Sequence, residues 1–268
     1  MSLSIDSVRL AGPGVAAILL TVISNGAVIL VSAAMSILSA TIILGLRLPP
    51  LPGSSETKVR QIAEGFSFAF RQRWLVVTAF SGMFVTGAWM AGYSLIGPVQ
   101  AHENYNGSTF WGICGMFFTA GLIAGGLVAY HFAVKNPVTG CIIASCGLAI
   151  PLVALGLVST PVVVYASLFV ASSLLSLAMT WWSTGVSFLV EKQFLARAFA
   201  FNSVVEFVGI PLAYVVVGGA TAAFRISPEI VQFILVGTIV LATFFNLLLL
   251  RRFRFASHAK NSIAHVSG

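Results

Sequence analysis

Residues 47–73 read RLPPLPGSSETKVRQIAEGFSFAFRQR, and the fold turns on what flanks this stretch. Its first part is rich in Pro, Gly and Ser, residues that favour turns and interrupt regular hydrogen bonding, so it reads as a loop. From Glu56 onward, Val59, Ile62, Ala63, Phe66 and Phe70 recur at helical spacing, with Lys58, Arg60 and Gln61 on the other face. That pattern predicts a short amphipathic helix lying on a membrane surface.

A bilayer-crossing helix needs about 20 mostly apolar residues. Two such windows precede the polar stretch, at 3–23 and 26–46. Six follow it, at 74–96, 109–131, 138–158, 161–183, 199–223 and 230–250. Composition agrees, since 58% of the chain is hydrophobic and only 8% is charged. Soluble domains carry about 25% charged residues, so a surface this poor in charge belongs in lipid. The expected fold class is an all-α polytopic membrane protein with about eight transmembrane helices.

Basic residues test the count. Arg47, Lys58, Arg60, Arg71, Arg73, Lys135, Lys192, Arg197, Arg251, Arg252, Arg254 and Lys260 all fall on one side of an eight-span topology. Arg225 alone falls on the other. The positive-inside rule then puts both termini in the cytoplasm of a cell, at its inner membrane. Topology therefore accounts for the net charge of +7, and nucleic acid is not an expected partner. The first window is followed closely by a second full span, with no small-residue cleavage pattern, which argues against a cleaved signal.

Glu206 is the one acid well inside a late span. A lone carboxylate at such a depth must pair, face water or carry a proton. Asn202 lies four residues earlier and Gly209 three later, on the same helix face. A face of that kind can line a cavity and exchange a proton. The alternative is a glutamate that reaches toward the interface and only packs. Asp6 and Arg9 are three apart in the first window and can pair locally. Arg9 either faces a substrate or Glu206, or belongs to a frayed terminus. Gly12-Pro13 kinks its helix, because proline lacks the amide hydrogen and clashes with the preceding turn. Gly121 with Gly125, and Gly218 with Gly219, favour close helix packing.

Enzyme chemistry finds no support. Ser183 and His131 lie near opposite ends of different spans, without a nucleophile-elbow or zinc-protease pattern. The histidines, at 102, 131, 258 and 265, are scattered, so no metal or cofactor is expected. Cys114, Cys141 and Cys146 fall in apolar runs and read as small buried hydrophobes.

Two spans, a long cytoplasmic link and then six spans resemble the major facilitator superfamily from its fifth helix to its end. LAGPGVAA, residues 10–17, resembles the Gly-Pro antiporter motif of the fifth helix. EGFSFAFRQRWL, residues 64–75, resembles the start of the seventh helix. ARAFAFNSVVEFVGIPLAY, residues 196–214, resembles the first half of the eleventh, with Arg197 and Pro211 in register. The likeness is strongest to the drug- and siderophore-exporting branch that includes macrolide and enterobactin exporters. The loop AYHFAVKNPVTG, residues 129–140, keeps Lys135 but lacks the family's acid and arginines there.

The resemblance implies four regions. Residues 1–46 would be the last two helices of an N-terminal bundle and 47–73 a cytoplasmic linker. Residues 74–250 would be the C-terminal six-helix bundle and 251–268 a basic cytoplasmic tail. The family's first four helices would then be absent. The implied ancestral activity is proton-coupled efflux of a small amphipathic compound by alternating access. The rival is a non-transporting remnant, or a subunit that needs a second membrane chain or a second copy of itself. The resemblance also gives Gly12-Pro13 a role in preventing leak. It makes Trp89, Tyr93, Trp181 and Trp182 a candidate aromatic cavity wall, against the alternative of an interfacial belt.

Overall fold

The computed structural model describes residues 25–45, 67–131 and 134–251, and every regular element among them is a helix. These residues belong to two compact units. The first contains α1, Asn25–Gly45, an apolar helix of 21 residues that coincides with the second window of the sequence. The first window, with Asp6, Arg9, Gly12 and Pro13, lies outside the described residues, as do most of the linker and the tail.

The second unit holds six helical segments long and apolar enough to cross a membrane. Arg73–Asn104 comprises α2 (Arg73–Met90), a π-helical stretch (Ala91–Ile96) and α3 (Gly97–Asn104). Next comes α4, Gly107–His131. Pro137–Gly156 is α5 (Pro137–Ser145), a 3-10 turn (Cys146–Leu148) and α6 (Ala149–Gly156). It is followed by α7, Pro161–Leu189, α8, Leu195–Phe224, and α9, Pro228–Arg251. Each of the six later windows coincides with one of these segments, and the segments generally extend beyond the windows.

Two departures from plain α-helix have a common cause. Pro98 has no amide hydrogen, and its ring crowds the carbonyl four residues back. The helix before it widens, and the Gly97 amide bonds to Gly92 O in the i−5 pattern. Pro151 likewise cannot donate to the carbonyl of Gly147, and the 3-10 turn lies across that position.

The bundle has two apolar cores. One gathers Trp89, Ile96, Phe110, Leu152, Leu168 and Ile239. The other gathers Leu75, Val138, Ile142, Val186, Phe201 and Leu250. Large apolar side chains such as Leu127, Val162, Phe188 and Val215 stay exposed on the outside, as a lipid solvent allows. The described end of the linker, 67–71, is helical and packs onto the bundle. Ala69 is fully buried, Phe68 stacks on Phe194 at 4.3 Å, and Phe70 meets Phe201 edge-on at 5.5 Å.

The glycine expectations divide. Gly121 and Gly125 place the backbones of α4 and α7 in direct contact, facing Phe169, Ser172 and Ser173. Ser173 Oγ donates to Gly121 O at 3.0 Å across the pair. Among the described residues, Gly218 and Gly219 make no close approach. A β-carbon on Gly219 would meet nothing within 4 Å, and one on Gly218 only Leu95 Cδ2 at 3.9 Å. The expectation of tight packing there is corrected: a small residue permits contact, but no backbone among the described residues has moved in to use the space.

Candidate functional site

Helix α8 starts at Leu195, earlier than the sequence window placed it. Glu206 therefore stands roughly 16 Å from the helix start at 1.5 Å per residue. This is about a third of the way along a helix of 30 residues. The side chain is half-buried and turns toward α2. Its carboxyl group sits over Gly82, so close that a β-carbon there would overlap Oε1. One turn further on, the same two helices touch through glycine again. Gly209 faces Met83 O, at 2.6 Å from where its β-carbon would be, and Gly87 faces Gly209 O at 2.9 Å. Small residues on both helices let α2 and α8 approach closely enough to enclose a carboxylate.

Asn202 shares the face of Glu206, as expected, and its side chain lies near the carboxyl. It is 6% exposed, and among the described residues its Oδ1 has no partner. Cys141 on α5 lies within the electrostatic reach of Glu206. On the other side of α2, Ser81 Oγ donates to Ala242 O of α9 at 2.9 Å. The next residues on the buried face of α9 are Thr243 and Asn246. Thr243 Oγ1 and Asn246 Oδ1 are also buried without partners among the described residues. Sequence reading did not single out Gly82, Thr243 or Asn246. The available signal was periodic, since Gln232, Leu235, Ile239, Thr243, Asn246 and Leu250 form one buried stripe.

The four aromatic candidates fall into two groups. Trp89 is 2% exposed and stacks on Tyr93 at 4.9 Å and on Phe118 at 5.8 Å. Tyr93 also meets Trp111 at 4.8 Å. Trp181 covers Gly140 of α5, and Trp182 lies 6.2 Å from Trp74. The first pair belongs to one apolar core and Trp182 to the other. Arg9, Gly12 and Pro13 lie outside the described residues.

A second polar feature marks the widened part of the Arg73–Asn104 segment. Gln232, fully buried on α9, donates from Nε2 to Gly92 O at 3.1 Å and to Gln100 Oε1 at 2.8 Å. Gln100 in turn donates to Leu155 O at 3.3 Å. Side-chain amides thus tie the π-helical stretch and α3 of one segment to α6 and α9 of two others. Near the end of the bundle marked by Arg225 there is a cavity of about 410 Å³, lined by Tyr105, Phe110, Ser159, Pro161 and Tyr165 among others.

The helices alternate between two ends. Arg71, Arg73, Lys135, Lys192, Arg197 and Arg251 stand at or just beyond helix ends on one side, and Arg225 stands at the other. Spans, charge placement and an enclosed carboxyl together define a polytopic helical membrane protein with a polar centre. The sequence model of the Major Facilitator Superfamily matches residues 7–214, and the chain belongs to that family. It is a multi-pass membrane protein of the major-facilitator transporter type. No curated protein and no solved structure matches it.

Proposed function

We propose that this transporter exports a small amphipathic compound in exchange for protons, with Glu206 carrying the proton and Asn202 holding the carboxyl in place. The observation that carries the reading is the position of Glu206. It stands well inside the membrane-spanning helix α8, beside Asn202 on its own helix and against Gly82 on α2. Intramembrane acids are costly and mark proton or ion pathways. The stretches 64–75 and 196–214 support the exporter branch. Within the same reading Gly12-Pro13 supplies a kink that limits leak, and Arg9 a cation toward the cavity. Tyr93, Trp181 and Trp182 are half-buried and offer aromatic surface to a flat cationic substrate, while Trp89 backs Tyr93. The basic end of the bundle is assigned to the cytoplasm of the inner membrane by the positive-inside rule.

The test is export from cells that overproduce the chain, measured with a panel of fluorescent amphipathic cations. Dye should leave faster than from control cells, and a protonophore should abolish the difference. Faster export that survives the protonophore counts against proton coupling.

A second reading is that the bundle works only against another bundle. Alternating access places the site between two repeats that rock against each other. The unit formed by 67–251 supplies one six-span bundle. A second copy or another membrane chain supplies the opposing one in this reading. Crosslinking in the native membrane, at cysteines introduced along the exposed positions Val204, Val208 and Val215, distinguishes a partnered bundle from a solitary one.

A further inference from the structure

The turn between α6 and α7 holds a valine where the backbone favours glycine. Helix α6 closes on two bonds, from Ser159 N–H to Ala154 O and from Val158 N–H to Leu155 O, both at 3.0 Å. This is the pattern that ends a helix on a left-handed residue. That residue is Val158, with φ of 47°. A β-carbon is crowded in this conformation, and a β-branched side chain is crowded most. Val158 is 42% exposed, so core packing does not offset the strain. The turn is held from outside instead, because Tyr105 Oη donates to Ser159 O at 2.7 Å. Strain that its surroundings maintain marks functional positions.

Val158 lines the cavity of about 410 Å³ at the Arg225 end, a volume within the range of small-molecule sites. The walls carry a column of rings. Tyr105 lies parallel to Phe110 at 4.0 Å, and Phe110 meets Tyr165 at 5.3 Å. Phe110 is buried between them, so the half-buried Tyr105 and Tyr165 supply the accessible ring surface. Asn106, Thr109 and Thr160 add amides and hydroxyls. Among the described residues no Asp, Glu, Lys or Arg lines the cavity, so a charged guest would meet no side chain of opposite sign. We propose that this cavity binds a small uncharged aromatic molecule, with its ring against Tyr105 and Tyr165 and with Val158 as one wall. A flat ring extends the column through offset or edge contacts, and a polar substituent meets the amides and hydroxyls. The site does not rest on the coupling role of Glu206.

The test uses the whole chain in lipid nanodiscs, with Asn106→Cys as a reporter on the cavity wall. A hydrophilic maleimide labels the new thiol, and the parent chain gives the background from Cys114, Cys141 and Cys146. The probe is 2-naphthol, flat and uncharged at neutral pH. Its comparator is decahydro-2-naphthol, which keeps the hydroxyl and lacks the aromatic ring. The naphthol should slow labelling saturably, at least threefold, and the saturated alcohol should not. Tyr165→Leu should raise the half-protecting concentration at least fivefold. Val158→Gly should raise it at least threefold while also raising the thermal midpoint by about 2–4 °C, since the wall is lost as the strain is relieved. A merely structural valine would not move stability and binding in opposite directions. Equal slowing by both alcohols, slowing by neither, or an unchanged half-protecting concentration in both variants overturns the site. Binding is read here without transport, so a failed test with protonophore-sensitive export intact removes only this inference.

Discussion

The carboxyl of Glu206 on α8 rests against the bare backbone of Gly82 on α2, where no other residue type leaves room for it. A mid-helix glycine costs roughly 0.5–1 kcal/mol relative to alanine. Here it leaves a space that an acidic side chain fills. The contact links a conformational property of one residue to the placement of a charge on another.

Gly82→Ala should therefore uncouple function from folding. The atom in the way is the far end of a rotatable side chain, so the carboxyl swings aside and the helices stay in place. The expected outcome is a thermal midpoint within about 3 °C of the parent and a clear fall in gradient-driven export. Parallel unfolding and export measurements check it.

Gly125→Ala should behave in the opposite way. Its β-carbon would meet backbone atoms of Ser173, which cannot rotate away, so α4 and α7 must separate. Overpacking of this kind costs about 1–3 kcal/mol. Gly219→Ala, with open space around it, should be nearly silent and serves as the control. Denaturation of the three purified proteins in one detergent gives the comparison.

Gln232 and Gln100 should be energetically coupled. Gln232→Leu orphans Gln100 Oε1, and Gln100→Leu removes an acceptor from the Gln232 amide. Each single change should cost about 1–3 kcal/mol, because a buried polar group loses its partner. The double change should cost less than the sum, by about 0.5–3 kcal/mol. A double-mutant cycle on unfolding free energy measures the coupling.

Topology follows from charge. A reporter fused near Glu103 should read as external, and one fused at Lys135 as cytoplasmic. Matching signals from the two sites would contradict the alternation of the helices.

Much of this architecture was legible in the sequence because it is set by length and composition. A run of apolar residues long enough to span lipid has to be helical, since the backbone must satisfy its own hydrogen bonds there. The pair Asn202 and Glu206 was legible because four residues of helix bring two side chains to one face whatever surrounds them. Gly82 was not legible, because its importance comes from the residue on another helix that uses its space. The same reason separates Gly121 and Gly125, which face a serine-rich turn of α7, from Gly218 and Gly219, which face open space. The π-helical stretch left only Pro98 as a trace, and the amide tie from Gln232 required the tertiary fold to be seen.

The central claim is that Glu206 carries the coupling proton. The most direct measurement compares parent and Glu206→Gln at equal protein level in two assays. One is export driven by an imposed proton gradient, and the other is substrate exchange with no gradient. Glutamine preserves size and hydrogen bonding but cannot exchange a proton. The account predicts that gradient-driven export falls at least tenfold while exchange stays within about twofold, since removing the coupling group leaves substrate binding and the conformational change in place. Gradient-driven export at the parent rate in the Gln variant would contradict it.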